Sequence, residues 1–470
     1  MKCNTIVLLM TSILAMGCFR TKGQTDADRS KIAASQAGAS PLFFDPASEK
    51  IPAIRVSDFS DARETQIRGG LPNFFAKINA GQSVTVGFIG GSITQALYGY
   101  RIQLSQYIQA KYPATKFRWM NAGVSGTGTD LGACRIGQQL LKYQPDLVFI
   151  EFAVNGGYQP GVEGMIRQII RNNPSADICL IYTVLDPHAK QYLQQIIPEH
   201  IVGLENIATH YALPSIHLGI EVASFVAAGQ VVWKGDTNSI KDRIVFSADG
   251  IHPFREGGNF YAASAARGLQ KLVSVGNAKP HILPAPLISD NWEDAQMIDP
   301  LASAVFSKGW TKTNTEAHPF LKQFSGWFPY IMQTETPGAS FTFRFKGSAF
   351  GIFDVGGPEV GQLAILVDGK AVKLQEVPGK GFRMLKSGTS GSDLLNLFNS
   401  FCNNRYRGQY DFIEVGQGEH TVTITISDQK SDKEKILGDK QLNDITENPA
   451  KYDRTVFYLG KILLRGELIK

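Results

Sequence analysis

The chain is poor in cysteine, in charge and in long apolar runs, and each shortage removes a class of protein. Five cysteines in 470 residues, with no CxxC pair and no zinc-type spacing, imply neither a disulfide framework nor a structural metal site. Charged residues make up only 19% of the chain and the formal net charge is +5. No clustered stripe of Lys and Arg is present, so nucleic acid is not an expected partner. The most apolar stretch, residues 6–16, is too short to span a bilayer. No internal repeat points to a solenoid or propeller. What is left, 43% apolar residues over 470, is an ordinary globular composition spread over a length that favours two cores.

Residues 1–17 stand apart. Lys2, the apolar run that follows and the small-residue stretch Ala15-Met16-Gly17 before Cys18 resemble a bacterial lipoprotein signal. The resemblance implies cleavage before Cys18, a lipid on that cysteine and an exported protein held at a membrane. A plain secretory peptide is the alternative, and both take the chain out of the cytoplasm. Residues 18–50, polar and rich in small side chains, are expected to form a flexible tether. Cys3 falls inside the signal, which leaves Cys134, Cys179 and Cys402. A Cys134–Cys179 disulfide is open to them, although nothing in the sequence requires it.

Over residues 51–278 strands alternate with helices, the pattern of a parallel sheet covered on both faces. Runs rich in β-branched and aromatic residues at 84–89, 116–121, 146–154, 178–183 and 215–217 read as strands. Helical segments are expected at 71–78, 98–112, 131–143, 162–171 and 191–211, and from about residue 258. Residues 279–286, KPHILPAP, read as a linker. Over residues 287–470 strands dominate (340–345, 362–367, 371–375, 421–426, 456–464), and Asp368-Gly369 has the signature of a tight hairpin turn. An all-β sandwich, jelly-roll-like, is expected there. Residues 430–448 are charged and expected to be an exposed loop.

The candidate chemistry begins at SVTVGFIGGSITQAL, residues 83–97. A buried strand breaks at Gly90-Gly91, and Ser92 follows at the start of a helix. Ligands of open α/β sheets bind outside the carboxyl ends of the strands, where helix-end N–H groups favour negative charge. The same pattern also suits an ordinary turn with Ser92 as helix cap. Further on, NAGVSGTGTD (residues 121–130) is too glycine-rich to continue a strand, and Asn155 ends another strand before Gly156-Gly157. Asp249 and His252 lie three apart in DGIH, close enough to share one loop. A histidine that takes a serine's proton, held by an aspartate, is the arrangement for acyl transfer.

Ser92 after two glycines, Gly123 in NAGVSG, Asn155 after an apolar strand and Asp249-x-x-His252, in that order, resemble the SGNH (GDSL-type) serine hydrolase family. The resemblance covers residues 84–272 and rests on four separated blocks. It implies a three-layer α/β fold with a flavodoxin-like sheet, with Ser92 as nucleophile, His252 as general base and acid, and Asp249 orienting the imidazole. It also implies an oxyanion hole made by the N–H groups of Ser92 and Gly123 and the side-chain amide of Asn155, and it requires no metal or cofactor. Gly91 and Gly156 stand where the family has aspartate. Glycine at 156 is expected to leave Asn155 less restrained.

Other residues have plainer readings. Asp186-Pro187-His188 reads as a turn that could also line a pocket. Asp130 and Arg135 read as an ion pair at a helix start, with support of the Gly123 loop or a substrate contact as the alternatives; Tyr158 reads as a substrate contact, and His210 and His217 as structural. Trp310, Trp327, Phe328 and Tyr330 suit a sandwich core or a sugar-stacking platform. Together these features lead to the expectation of a lipid-anchored esterase that removes short acyl groups, acetyl first among them, from a carbohydrate. A lipase or thioesterase, or a non-catalytic glycan-binding surface lipoprotein, are the alternatives; the absence of a long apolar lid segment counts against long acyl chains.

Overall fold

Val84, Val86, Phe88 and Ile89 are all buried, as a central strand with both faces covered requires. In the computed structural model, which describes residues 38–48, 54 and 57–469, they belong to a seven-stranded sheet. Its strands are β1 (Phe43–Phe44), β2 (Thr65–Gln66), β3 (Val84–Gly90), β4 (Phe117–Gly123), β5 (Leu147–Glu151), β6 (Asp177–Tyr182) and β7 (Ser215–His217), in the order β1-β4-β3-β5-β6-β7-β2. The five inner strands are parallel, and the two-residue edges β1 and β2 are antiparallel. Sequence order reverses between β3 and its neighbours β4 and β5, which opens a crevice at the carboxyl end of β3.

The helices are α1 (Pro72–Asn79), α2 (Ser92–Gln95), α3 (Tyr100–Lys111), α4 (Thr129–Gln139), α5 (Gln159–Asn172), α6 (Asp186–Leu193), α7 (Glu199–His210), α8 (Gly219–Ala227) and α9 (Arg255–Leu272). The single helix expected over 191–211 is two helices. Gln195 takes a left-handed conformation (φ 64°) and Pro198 precedes α7, so the helical hydrogen-bond ladder cannot run through. The tether expected to reach residue 50 also ends early. Gly38 O accepts from Gln95 Nε2 (2.6 Å), and Phe43 and Phe44 pair with Met120 and Trp119. A short apolar run at 42–44 thus anchors a segment that is otherwise polar. The signal, Cys18 and the earlier tether lie outside the described residues.

Two four-residue strands, β8 (Val231–Lys234) and β9 (Ile244–Ser247), form a small parallel sheet that carries the loop with Asp249 and His252. Neither was expected, because four residues with no clear alternation give too little periodicity to read.

The C-terminal part is one continuous sheet of twelve strands, antiparallel apart from one parallel pairing, rather than the two sheets of a jelly roll. It begins with β10 (Ala295–Ile298) and is dominated by β11 (Ser340–Gly356), β12 (Arg407–Ile426) and β13 (Phe457–Ile469). Phe343 and Phe350 would be about 23 Å apart on a straight strand, yet their ring centroids are 5.8 Å apart. The sheet therefore folds over on itself. The corner is made where the ladder slips between Gly347 and Ala349, opposite Gly418 and Gly466. A Cβ at Gly347 would stand 1.9 Å from the Arg465 carbonyl oxygen, so only glycine lets the backbones cross so closely. The strands expected at 340–345, 421–426 and 456–464 stop short of those glycines; in the fold the strands pass through them. Asp368 and Gly369 both have positive φ (53° and 75°), as the expected tight turn needs. Segment 430–448 is not simply an exposed loop. It includes two short helices, and the buried Lys433 ammonium donates to the carbonyls of Pro358 (2.7 Å) and Tyr452 (2.8 Å).

The two parts are packed together. Gln138 Nε2 on α4 donates to Met297 O on β10 (2.6 Å), and Trp292 sets its ring edge-on against both Tyr158 and Phe412. Cys134, Cys179 and Cys402 are free and buried, so the Cys134–Cys179 disulfide is not formed.

Candidate active site

Ser92 is the first residue of α2, directly past the end of β3. The turn depends on glycine: a Cβ at Gly90 would lie 2.2 Å from Thr94 Oγ1 and 2.6 Å from Glu151 O. Arg135 braces the turn from below, donating to Gly90 O (3.0 Å) and to Ala122 O. It is therefore a clamp on two strand ends, not the ion-pair partner of Asp130. Glu151, buried at the end of β5, accepts from Thr94 Oγ1 (2.9 Å) and Thr183 Oγ1 (2.5 Å). Burial pushes its carboxyl above the usual range, against those hydrogen bonds.

Ser92 Oγ lies 2.6 Å from His252 Nε2, and His252 Nδ1 lies 2.6 Å from Asp249 Oδ2. The second contact puts the imidazole proton on Nδ1 and leaves Nε2 free to accept from the serine. Asp249 Oδ1 takes the backbone N–H groups of Ile251 and His252, each at 2.8 Å. Burial raises the Asp249 carboxyl, but these bonds and the imidazole together hold it below its ordinary value. The loop is pinned at a left-handed Gly250 (φ 86°), whose N–H goes to Ser247 Oγ (2.8 Å) and whose carbonyl accepts from Trp233 Nε1 (3.0 Å). Three residues separated by up to 160 positions thus meet on one hydrogen-bonded line.

The expected oxyanion donors divide. Gly123 sits inside β4 and its N–H is already donated to Asn121 Oδ1 (3.0 Å), so it is not available to a substrate. Three residues further on, Gly126 (φ 69°) lines the cavity beside Ser92, and among the described residues its N–H has no protein acceptor. The loop between them is held by Gln95, whose Oε1 accepts from Ser125 N–H (2.5 Å). Both glycines lie in the same motif, and the positive φ that distinguishes Gly126 is not written in the sequence. Asn155 also lines the cavity, and among the described residues its Nδ2 donates to no protein group. Its Oδ1 is buried without a partner, so among the described residues no hydrogen bond restrains the carboxamide. It packs on Gly91, where an added Cβ would stand 2.4 Å from Asn155 Oδ1 and 2.9 Å from Nδ2. Gly156 and Gly157 follow in left-handed conformations (φ 83° and 54°). Glycine at 91 thus makes room for the Asn155 carboxamide, whereas a Cβ at Gly156 would meet nothing within 4 Å.

The cavity holds about 400 Å³. One wall is Ser92, Gly126, Asn155 and His252; the other is supplied by the C-terminal sheet through Phe382, Phe401, Arg407 and Tyr410. Sequence reasoning missed that wall entirely, since no motif marks it. Asp130 joins the two. Its Oδ1 accepts from Tyr410 OH (2.6 Å) and its Oδ2 from Phe382 N–H (2.8 Å), while the Tyr410 oxygen accepts from Gly128 N–H (3.0 Å).

The remaining candidates lie elsewhere. Tyr158 packs on Trp292 and does not line the cavity. Asp186 and Pro187 line a separate cleft beside Asp249, and the His188 ring lies tilted against that of His200. His210 contacts Ala285 O (2.8 Å), and His217 contacts Tyr192 OH (2.7 Å). Trp327 and Phe328 are buried, Trp310 packs among Phe306, Phe341 and Phe457, and the half-buried Tyr330 packs against the core beneath Lys312; these rings are core, not a platform.

With this geometry in place, comparison with solved structures is informative. The chain is similar to a two-domain esterase active on acetylated mannans, crystallised with mannopentaose, at 20% identity and a TM-score of 0.61, over 86% of this chain and 97% of that one. It shares the fold of a two-domain esterase. A second structure of such an esterase matches at 19% identity and a TM-score of 0.61, over 85% and 98% of the two chains. An acetylxylan esterase from Geobacillus stearothermophilus is similar over 40% of this chain and 94% of its own, at 20% identity and a TM-score of 0.29. No family model matches the chain, and no curated protein matches it.

Proposed function

We propose that this protein is a serine esterase of the SGNH type that removes acetyl groups from a carbohydrate. The observation that carries the reading is the unbroken line from Ser92 Oγ through His252 to Asp249, both links at 2.6 Å, opening into a cavity. In the proposed reaction His252 Nε2 takes the Ser92 hydroxyl proton as Oγ attacks the acetyl carbonyl carbon. The tetrahedral oxyanion is met by the N–H groups of Ser92 and Gly126 and by Asn155 Nδ2, each worth about 3 kcal/mol in the transition state. The bond from the carbonyl carbon to the sugar oxygen then breaks, and His252 returns its proton to that oxygen. Water, deprotonated by the same imidazole, attacks the acyl-Ser92 carbonyl, and acetate leaves as the proton passes back to Ser92 Oγ.

The modest cavity supports a short acyl group, and the order of the five parallel strands supports the flavodoxin-like sheet of the SGNH fold. The carbohydrate part draws support from the acetylated mannans on which the structural neighbour acts. We further propose that Cys18 carries a lipid that holds the exported protein at a membrane; Cys18→Ala should then release it into the soluble fraction.

Hydrolysis of p-nitrophenyl acetate and octanoate, with wild type and Ser92→Ala in parallel, tests the enzyme. Acetate turnover that is lost in Ser92→Ala, with fluorophosphonate labelling lost alongside, is the expected result. A preference for octanoate would point to a lipase, and turnover indifferent to Ser92 would overturn the assignment.

A further inference from the structure

Arg407, the first residue of β12, reaches from the C-terminal sheet to the loop of Gly126. A Cβ on Gly126 would lie 2.9 Å from its Nη2. Its guanidinium sits 4.9 Å from the centre of the Phe401 ring, and its Nε is buried without a partner. Among the described residues Arg407 forms no ion pair and no side-chain hydrogen bond. Its neighbour Arg383 differs: both of its donors reach Asp411 Oδ1, at 2.9 and 2.5 Å.

Among the described residues none of the acids around the cavity forms an ion pair with Arg407, although Asp354 keeps one buried oxygen, Oδ1, without a partner. Asp411 is held by Arg383, Asp249 by His252, and Asp130 by Tyr410 and Phe382. Asp354 is so buried that its carboxyl is pushed well above its ordinary value, and it binds Gln409 Nε2 (3.1 Å). The neutral side chains are engaged as well, with Asn399 Nδ2 donating to Gln409 Oε1 (2.9 Å). Asp354 and Asp411 act on Arg407 only through space, and a largely desolvated cation without a direct ion pair is costly to keep. A guanidinium stays protonated at neutral pH even where burial pulls its pKa down, as it does here. Its planar fork matches a carboxylate in two parallel hydrogen bonds.

We infer that Arg407 receives a carboxylate of the substrate, so that the glycan is an acidic, uronate-bearing chain whose ester is presented to Ser92 from that anchor. This rests on the esterase reading of the same cavity and deepens it to a substrate class. In the ground state Arg407 is a binding residue that selects among glycans.

The test is calorimetric, on the full chain carrying Ser92→Ala so that ligand is not turned over. A xylo-oligosaccharide bearing one glucuronate is compared with the neutral oligomer of equal length, with Arg407→Gln and Arg407→Lys added in turn. The acidic oligomer is expected to bind about tenfold tighter or more, with the advantage lost in Arg407→Gln, partly kept in Arg407→Lys and reduced by salt. Equal binding of the two oligomers, or an acidic preference that survives Arg407→Gln, overturns the inference. Should Arg407→Gln fold poorly, the wild-type kcat/KM ratio for acetylated acidic over neutral oligomers decides: a ratio near one overturns it. An equal loss on both glycans and on p-nitrophenyl acetate would place Arg407 at the reacting carbonyl and also overturn it. Failure of the esterase reading is distinguishable, because it removes Ser92-dependent turnover of every ester.

Discussion

Gly91→Ala is the sharpest perturbation that the site allows. At φ −87° the backbone there lies outside the left-handed region that demands glycine, so the added Cβ is the main perturbation. It would stand 2.4 Å from Asn155 Oδ1, 2.8 Å from Cγ and 2.9 Å from Nδ2. The closest of these is about 1 Å inside van der Waals contact. Asn155 lies on a short 3-10 turn ahead of two left-handed glycines and can swing away, whereas Gly91 is fixed between β3 and α2. The carboxamide therefore withdraws and one oxyanion donor is lost. Such a loss costs about 3 kcal/mol in the transition state, or a 10²–10³-fold drop in kcat on p-nitrophenyl acetate, with KM little changed. Asn155→Ala should cost about the same. The double variant should cost no more than either alone, because the atom that Cβ would strike has gone. A Gly91→Ala enzyme that keeps most of its kcat, or losses that add fully in the double variant, would refute both the role of Asn155 and the reason for glycine at 91.

Two further outcomes follow from the geometry. Tyr410→Phe leaves the Gly128 N–H without a partner and Asp130 Oδ1 with only the Leu131 N–H; it should cost about 1–3 kcal/mol of stability, seen as a lower Tm, and should lower kcat/KM by loosening the shared cavity wall. An unchanged Tm would show that this latch does not join the two parts. Asp249 is held below its ordinary pKa of 3.8, so its contribution to stability is present above that value and lost as pH falls through the lower folded value. Denaturant unfolding from pH 6 down to pH 2 should therefore show a smaller loss in Asp249→Asn than in wild type, and equal losses would contradict the assigned pairing.

Much of the α/β part was legible because its signals are local. A β-branched run between a helix and a glycine pair has few alternatives, so the five inner strands emerged close to their observed bounds. Ser92, Asp249 and His252 were readable only together, through the resemblance that four separated blocks carry, since each turn alone also suits a helix cap or a surface pair. Errors arose where a residue's meaning depends on something distant. Gly123 and Gly126 share one motif, and only the backbone path shows that the N–H of Gly123 is spent on Asn121. The strands expected at 340–345, 421–426 and 456–464 stop short of Gly347, Gly418 and Gly466, yet in the folded sheet those glycines permit a corner.

The sequence by itself determined the order of elements, the residues that meet on one hydrogen-bonded line and the chemistry they suit, because propensity, turn geometry and side-chain reactivity are properties of short segments. Only the tertiary structure decided that a strand some 280 positions away closes the cavity through Tyr410 and Asp130, and that Arg407 enters it with no ion-pair partner among the described residues. Those facts arise from packing two sheets against each other, and no local pattern encodes which side chain a distant backbone will place opposite another.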